Sequence, residues 1–172
     1  MRMSEIAAAV GVCVILFVPA AASSQDHRGP STPDERKQII ETIHQWQADP
    51  LAPQAKDNVG RVLKWFTQVP DLTVHVCIIL DKLPKGDKKD ASTVFGGEFM
   101  GQAAFVLENP DKKVDLMPEY QAGVESALHT YEFLLKSNSK DRQPYLDELL
   151  QRRDAGTLAQ FVTERAASSC KK

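Results

Sequence analysis

The chain has 172 residues, of which 42% are hydrophobic and 26% charged, and its formal net charge is −2. This balance gives no electrostatic footprint for nucleic acid or for an anionic membrane surface.

Residues 1–24 read as a secretory signal peptide. Arg2 is followed by a 13-residue uncharged run from Ile6 to Val18, and Pro19 to Ser24 then supply small residues for cleavage after Ala22 or Ser24. The run is shorter than the roughly 20 apolar residues that a spanning helix needs. An uncleaved anchor is the competing reading, because Glu5 largely cancels Arg2. Cys13 lies within the run without a small-residue site just before it, which argues against a lipid-attachment cysteine. Cleavage would leave 148 residues, enough for one domain with its own core. No later segment is long and apolar enough to cross a membrane. The expected product is therefore a soluble protein of the periplasm or extracellular space, with no membrane insertion of the mature chain.

Residues 25–31 are polar and include Gly29-Pro30, a flexible lead-in to a single helical domain over 32–172. Thr32-Pro33-Asp34-Glu35 combines an N-cap, a proline at the first helical position and a capping-box glutamate. Ile39, Ile40, Ile43 and Trp46 follow at helical spacing, and Pro50 ends this helix near Asp49. After a short turn, a second helix reaches about Val69, with Val59, Val62, Leu63, Phe66 and Val69 as its stripe. The short link predicts an antiparallel hairpin.

Residues 71–83 carry conflicting signals. The alternation through Val74 and Val76 suits a strand. Asp71 suits a helix N-cap, and no second strand presents itself as a partner, so the expectation is a helix. Residues 84–90 form a loop in which lysines alternate with Asp87 and Asp90, a solvated surface rather than a basic patch. Lys112 and Lys113 lie beyond the far end of the next helix.

Residues 92–108 are the most apolar stretch after the N-terminus and predict a buried central helix. Placed on a helix, the stretch has an aromatic face (Phe95, Phe99, Val106), a small-residue strip (Gly97, Gly101, Ala104) and a thin polar line (Glu98, Gln102). Glycine inside a helix costs about 1 kcal/mol against alanine. The strip therefore predicts close approach of another helix, or of a ligand. Asn109-Pro110 ends the helix. Pro118-Glu119 opens another, with Tyr120, Val124, Ala127, Tyr131 and Leu134 on one face. A loop at 137–141 leads to a helix over 144–153 through Leu146, Leu149 and Leu150, capped by Gly156. A second capping box, Thr157 with Gln160, starts a last helix through Phe161 and Val162. The fold class is all-α, a compact array of about six to seven antiparallel helices. One segment, 127–134, has the spacing of a tetratricopeptide second helix, but no repeat accompanies it.

In an oxidising compartment the two remaining cysteines, Cys77 and Cys170, suggest a disulfide. The alternative is a buried, inert Cys77 and a free Cys170. Glu41-x-x-His44 has the spacing of bundle metal sites, but the second copy fails, since Glu125 and His129 are four apart. No nucleophile elbow, phosphate loop or zinc-helix motif is present. His75 and Cys77 are two apart and would diverge on a helix. These readings assign no catalytic residue, metal or cofactor. Glu98 and Gln102 remain the candidate ligand-binding pair, lining either a small polar pocket or a narrow exposed edge. The expected function is that of an exported, non-catalytic binding or accessory module of the cell envelope, its partner a protein or small ligand. The alternatives are a small secreted hydrolase or metal-dependent enzyme, and a structural envelope protein. Convergence of Glu98, His75 and His129 would favour the enzyme. A groove lined by Trp46, Trp65, Phe66 or Tyr131 would favour binding.

Overall fold

The computed structural model describes residues 28–77, 79–83, 89–110 and 115–170. The signal-peptide reading, most of the 84–90 loop and the Lys112–Lys113 pair lie outside them.

Thr32 caps α1 (Pro33–Ala48) through both arms of the expected box: its hydroxyl accepts from the Glu35 amide, and the Glu35 carboxylate accepts from the Thr32 amide. A turn through Pro50–Pro53 leads to α2 (Ala55–Gln68). The expected stripe of α2 is rotated. Ala55, Asn58, Val62 and Trp65 face inward, whereas Leu63 is 49% exposed. Trp65 offers more apolar area than Leu63, and its burial sets the rotation.

Residues 71–83 form neither helix nor strand at the described positions. The expected helix is replaced by an extended strap, and the physical reason is where its amides go. The His75 N–H donates to Glu119 Oε1 at 2.6 Å. The Ile79 N–H meets the Glu98 carboxylate and also turns back to the Cys77 carbonyl at 2.9 Å. Donors taken by side chains of other elements cannot enter a helical ladder. Asp71, expected as an N-cap, instead accepts from the Ser31 amide and hydroxyl and from Arg36, each at 2.8 Å. Further along, Tyr145 donates to the Ile79 carbonyl at 3.3 Å and Asp81 pairs with Arg165. Cys77 is bonded to Cys170 across 93 residues, with their Cα atoms 5.5 Å apart.

Helix α3 (Lys89–Glu108) begins three residues before the expected start and ends where expected. It packs most extensively on α4 (Met117–Ser137). The five stripe residues of α4, from Tyr120 to Leu134, are all buried. The glycine strip explains the closeness of this pair. A Cβ on Gly101 would lie 2.3 Å from the Ala122 carbonyl oxygen, and one on Gly97 would lie 2.4 Å from Thr130 Oγ1. The other helix contributes in kind, since a Cβ on Gly123 would lie 2.7 Å from Gln102 Cγ. Rising numbers on α3 face falling numbers on α4, so the two run antiparallel.

After a 3-10 turn at Ser139–Asp141 come α5 (Pro144–Asp154) and α6 (Leu158–Ser169). Gly156, at φ +72°, carries the chain between them in a left-handed turn. The expected second capping box does not form: the Thr157 hydroxyl donates to the Arg152 carbonyl and caps no α6 amide. The core has two parts. One joins α1 and α2 to Met100, Ala103, Ala104 and Leu107 of α3. The other joins the strap, Val94, α4, α5 and α6. The described residues thus give an all-helical fold of six α-helices without strands, and no helix among them is long and apolar enough to cross a membrane.

Candidate functional site

The strap brings His75 to Glu119. Glu119 sits in the first turn of α4, where unpaired amides and the helix dipole favour a carboxylate. Its residue is 4% exposed, and both oxygens go to one partner: Oε1 accepts from the His75 amide, and Oε2 accepts from His75 Nδ1 at 3.0 Å. The His75 ring itself is 42% exposed. A buried carboxylate thus fixes a half-exposed imidazole, and Nδ1–H donation leaves Nε2 of the neutral ring as an acceptor.

Beside this pair lies a cleft of about 300 Å³. Its apolar wall is built from Leu72 of the strap, Phe105 and Val106 of α3 and Leu116 before α4. Its polar lining includes Asp71, Thr73, Asn109, His75 and Glu119. Burial raises the Asp71 carboxyl, but hydrogen bonds from Ser31 and the Arg36 charge outweigh it and hold the group below its ordinary value. Asn109 donates its side-chain N–H to the Phe105 carbonyl at 3.0 Å. A second, wider depression of about 820 Å³ lies between the α1–α2 turn, the start of α3 and the end of α4. Trp46 contributes to its wall, but Trp65, Phe66 and Tyr131 do not line it.

Glu98 and Gln102 line neither depression. They are 6% and 1% exposed, so the polar line is no exposed edge. Burial pushes the Glu98 carboxyl up to about 7, against the opposing pull of the Ile79 amide. One Glu98 oxygen, both polar atoms of the Gln102 amide and the Ser126 hydroxyl lack protein partners in this seam. Glu98, His75 and His129 do not converge. Glu98 meets Ile79, His75 meets Glu119, and His129 Nε2 donates to the Gln47 carbonyl at 3.2 Å. His44 pairs with Glu108 at 3.0 Å, and among the described residues no group of three or more His, Cys, Asp or Glu side chains could hold a metal.

Sequence reading missed Glu119. It stands immediately after a proline at a helix start, where an acidic residue has a sufficient local reason to be. Its true partner is 44 residues away, and nothing in the spacing points there.

No family model matches the chain, and no solved structure matches it. Protein translocase subunit SecA of Malacoplasma penetrans (strain HF-2) is 32% identical over 91 residues, which covers 49% of this chain. The match takes in 6% of that protein's length.

Proposed function

We propose that this protein is an exported, non-catalytic helical module of the cell envelope that acts by binding, with the His75–Glu119 cleft as its ligand site. The observation that carries this reading is the fixed imidazole at the cleft. Small-ligand sites are commonly concave and mostly apolar, with a few polar groups held in place, and have volumes of about 300–1,000 Å³. This cleft is at the lower end of that range. Pre-fixing a recognition group lowers the ordering cost of binding. Export is supported by the Cys77–Cys170 bond, of a kind that persists in oxidising compartments, and by the apolar run with a small-residue site at 6–24.

Two measurements test the two halves. Full-length chain expressed in a bacterial host should be recovered outside the cytoplasm, shortened by about 22–24 residues at the expected cleavage sites and without free thiols. Full-length, cytoplasmic, reduced protein would sink the export half. A fragment screen monitored by the Thr73 amide and the Trp46 indole resonances should return hits that shift Thr73 and that His75→Ala abolishes. Hits confined to the Trp46 depression would move the site there.

A second reading keeps the same pair. A carboxylate that orients an imidazole is also the arrangement of a general base, which would suit the small hydrolase alternative. Turnover of ester or amide substrates lost in His75→Ala would favour it.

A further inference from the structure

We infer that the His75–Glu119 cleft selects a small amphiphile with a protonated amine head; this rests on the binding role proposed above for the same cleft. The argument is an inventory of what the lining side chains offer. Asp71 and Glu119 are carboxylates, which accept and cannot donate. Glu119 occupies Nδ1–H of His75, which leaves Nε2 as the ring nitrogen open to a ligand. Asn109 has given one of its two amide N–H groups to the Phe105 carbonyl, so it offers the amide oxygen and one further N–H. Thr73 can serve in either role. The described side chains that line the cleft include no lysine or arginine. An acceptor-rich lining calls for a donor-rich ligand, and an ammonium group carries three donors and no acceptor.

Charge points the same way. The Arg36 guanidinium offsets Asp71 from outside the cleft lining, so the lining itself carries the negative ends. A ligand carboxylate would stand beside two others, and like-charge juxtaposition in a partly dry site is costly. The ligand's apolar part has Leu72, Phe105, Val106 and Leu116 to cover it, and the cleft's volume restricts that part to a short chain or a single ring.

The test is a titration of the full chain with hexylamine, hexanol and hexanoate at neutral pH, followed through the His75 ring and Thr73 amide resonances. Hexylamine is expected to bind tightest and hexanoate about tenfold more weakly or not at all. Glu119→Gln should abolish the preference for the amine while leaving hexanol binding in place, which also shows that the variant still forms the cleft. If Glu119→Gln does not fold, Asp71→Asn is read instead, with a reduced amine preference expected. Hexanoate or hexanol binding as tightly as hexylamine would overturn the amine assignment and leave the cleft as a site. No perturbation by any of the three would overturn the cleft reading together with the ligand class.

Discussion

Glu98 is the residue at which folding and protonation meet. A free carboxyl of this type titrates near 4.5, and in the fold burial moves it up to about 7. Between these values the folded chain keeps a proton that the unfolded chain has released. Stability therefore falls as pH rises from 4.5 to about 7 and does not fall further from this cause above it. The displacement corresponds to about 3 kcal/mol. Urea denaturation at pH 5 and pH 8 should show wild type losing up to that amount relative to Glu98→Gln, whose amide never ionises; parallel pH profiles for the two would refute it. Gly101 supplies a second residue-scale prediction. Alanine there gains about 1 kcal/mol of helix propensity, but its methyl would stand 2.3 Å from the Ala122 carbonyl oxygen. Backbone cannot yield as a flexible side chain can, so the helices must part. Gly101→Ala should lower the stability read from urea denaturation by about 1–3 kcal/mol net of the propensity gain.

At the scale of elements, the strap differs in kind from the helices around it. Each helix satisfies its amides locally, whereas the strap gives two of its own to carboxylates on α3 and α4. Glu119→Gln weakens the charge-assisted bonds to His75 and should cost about 2 kcal/mol, with faster hydrogen exchange at the His75 amide while the interior of α4 stays protected. Equal acceleration throughout α4 would show that Glu119 supports the helix and not the strap. The same contrast explains what the sequence disclosed. The α1 cap and the α4 stripe are legible because they depend on neighbours three or four residues away, and the reason for Gly97 and Gly101 because glycine inside a helix is costly and calls for a compensating close approach. The strap reads as a helix in the sequence because Asp71 looks like an N-cap and no second strand presents itself, while the deciding acceptors, Glu98 and Glu119, lie far along the chain. Trp65 and Leu63 were exchanged for a related reason: α2 has enough apolar residues for two stripes, and only the packing against α1 and α3 selects one. The cleft was invisible because His75 and Glu119 each have an ordinary local explanation.

For the whole molecule, the Cys77–Cys170 bond links the strap to the end of α6 and so belongs to the second part of the core. In the chain-entropy model, a loop of this size contributes about 4–5 kcal/mol by restricting the unfolded chain. The double variant Cys77→Ala/Cys170→Ala should unfold at correspondingly lower urea, with its helical circular dichroism retained in native buffer. Loss of helical signal before any denaturant is added would mean that the bond is needed to form the fold and not only to stabilise it.

The long reach of the strap's attachments has a consequence for the order of assembly. The α3–α4 hairpin joins residues about 20 to 35 apart and can close early, since short loops lose less entropy on closing than long ones. Glu98 stands 19 residues from Ile79, but the strap's other partners stand 35 to 93 residues away, and each must be in place before it can hold. The cleft therefore acquires its Leu72 and His75 wall late, and a newly made chain has its helices before it has this cleft. Cys77 must also wait for 93 further residues. Until then Cys13 is the one other cysteine of this sequence already synthesised, and under the proposed export, cleavage after Ala22 or Ser24 would double as protection against a wrong crosslink.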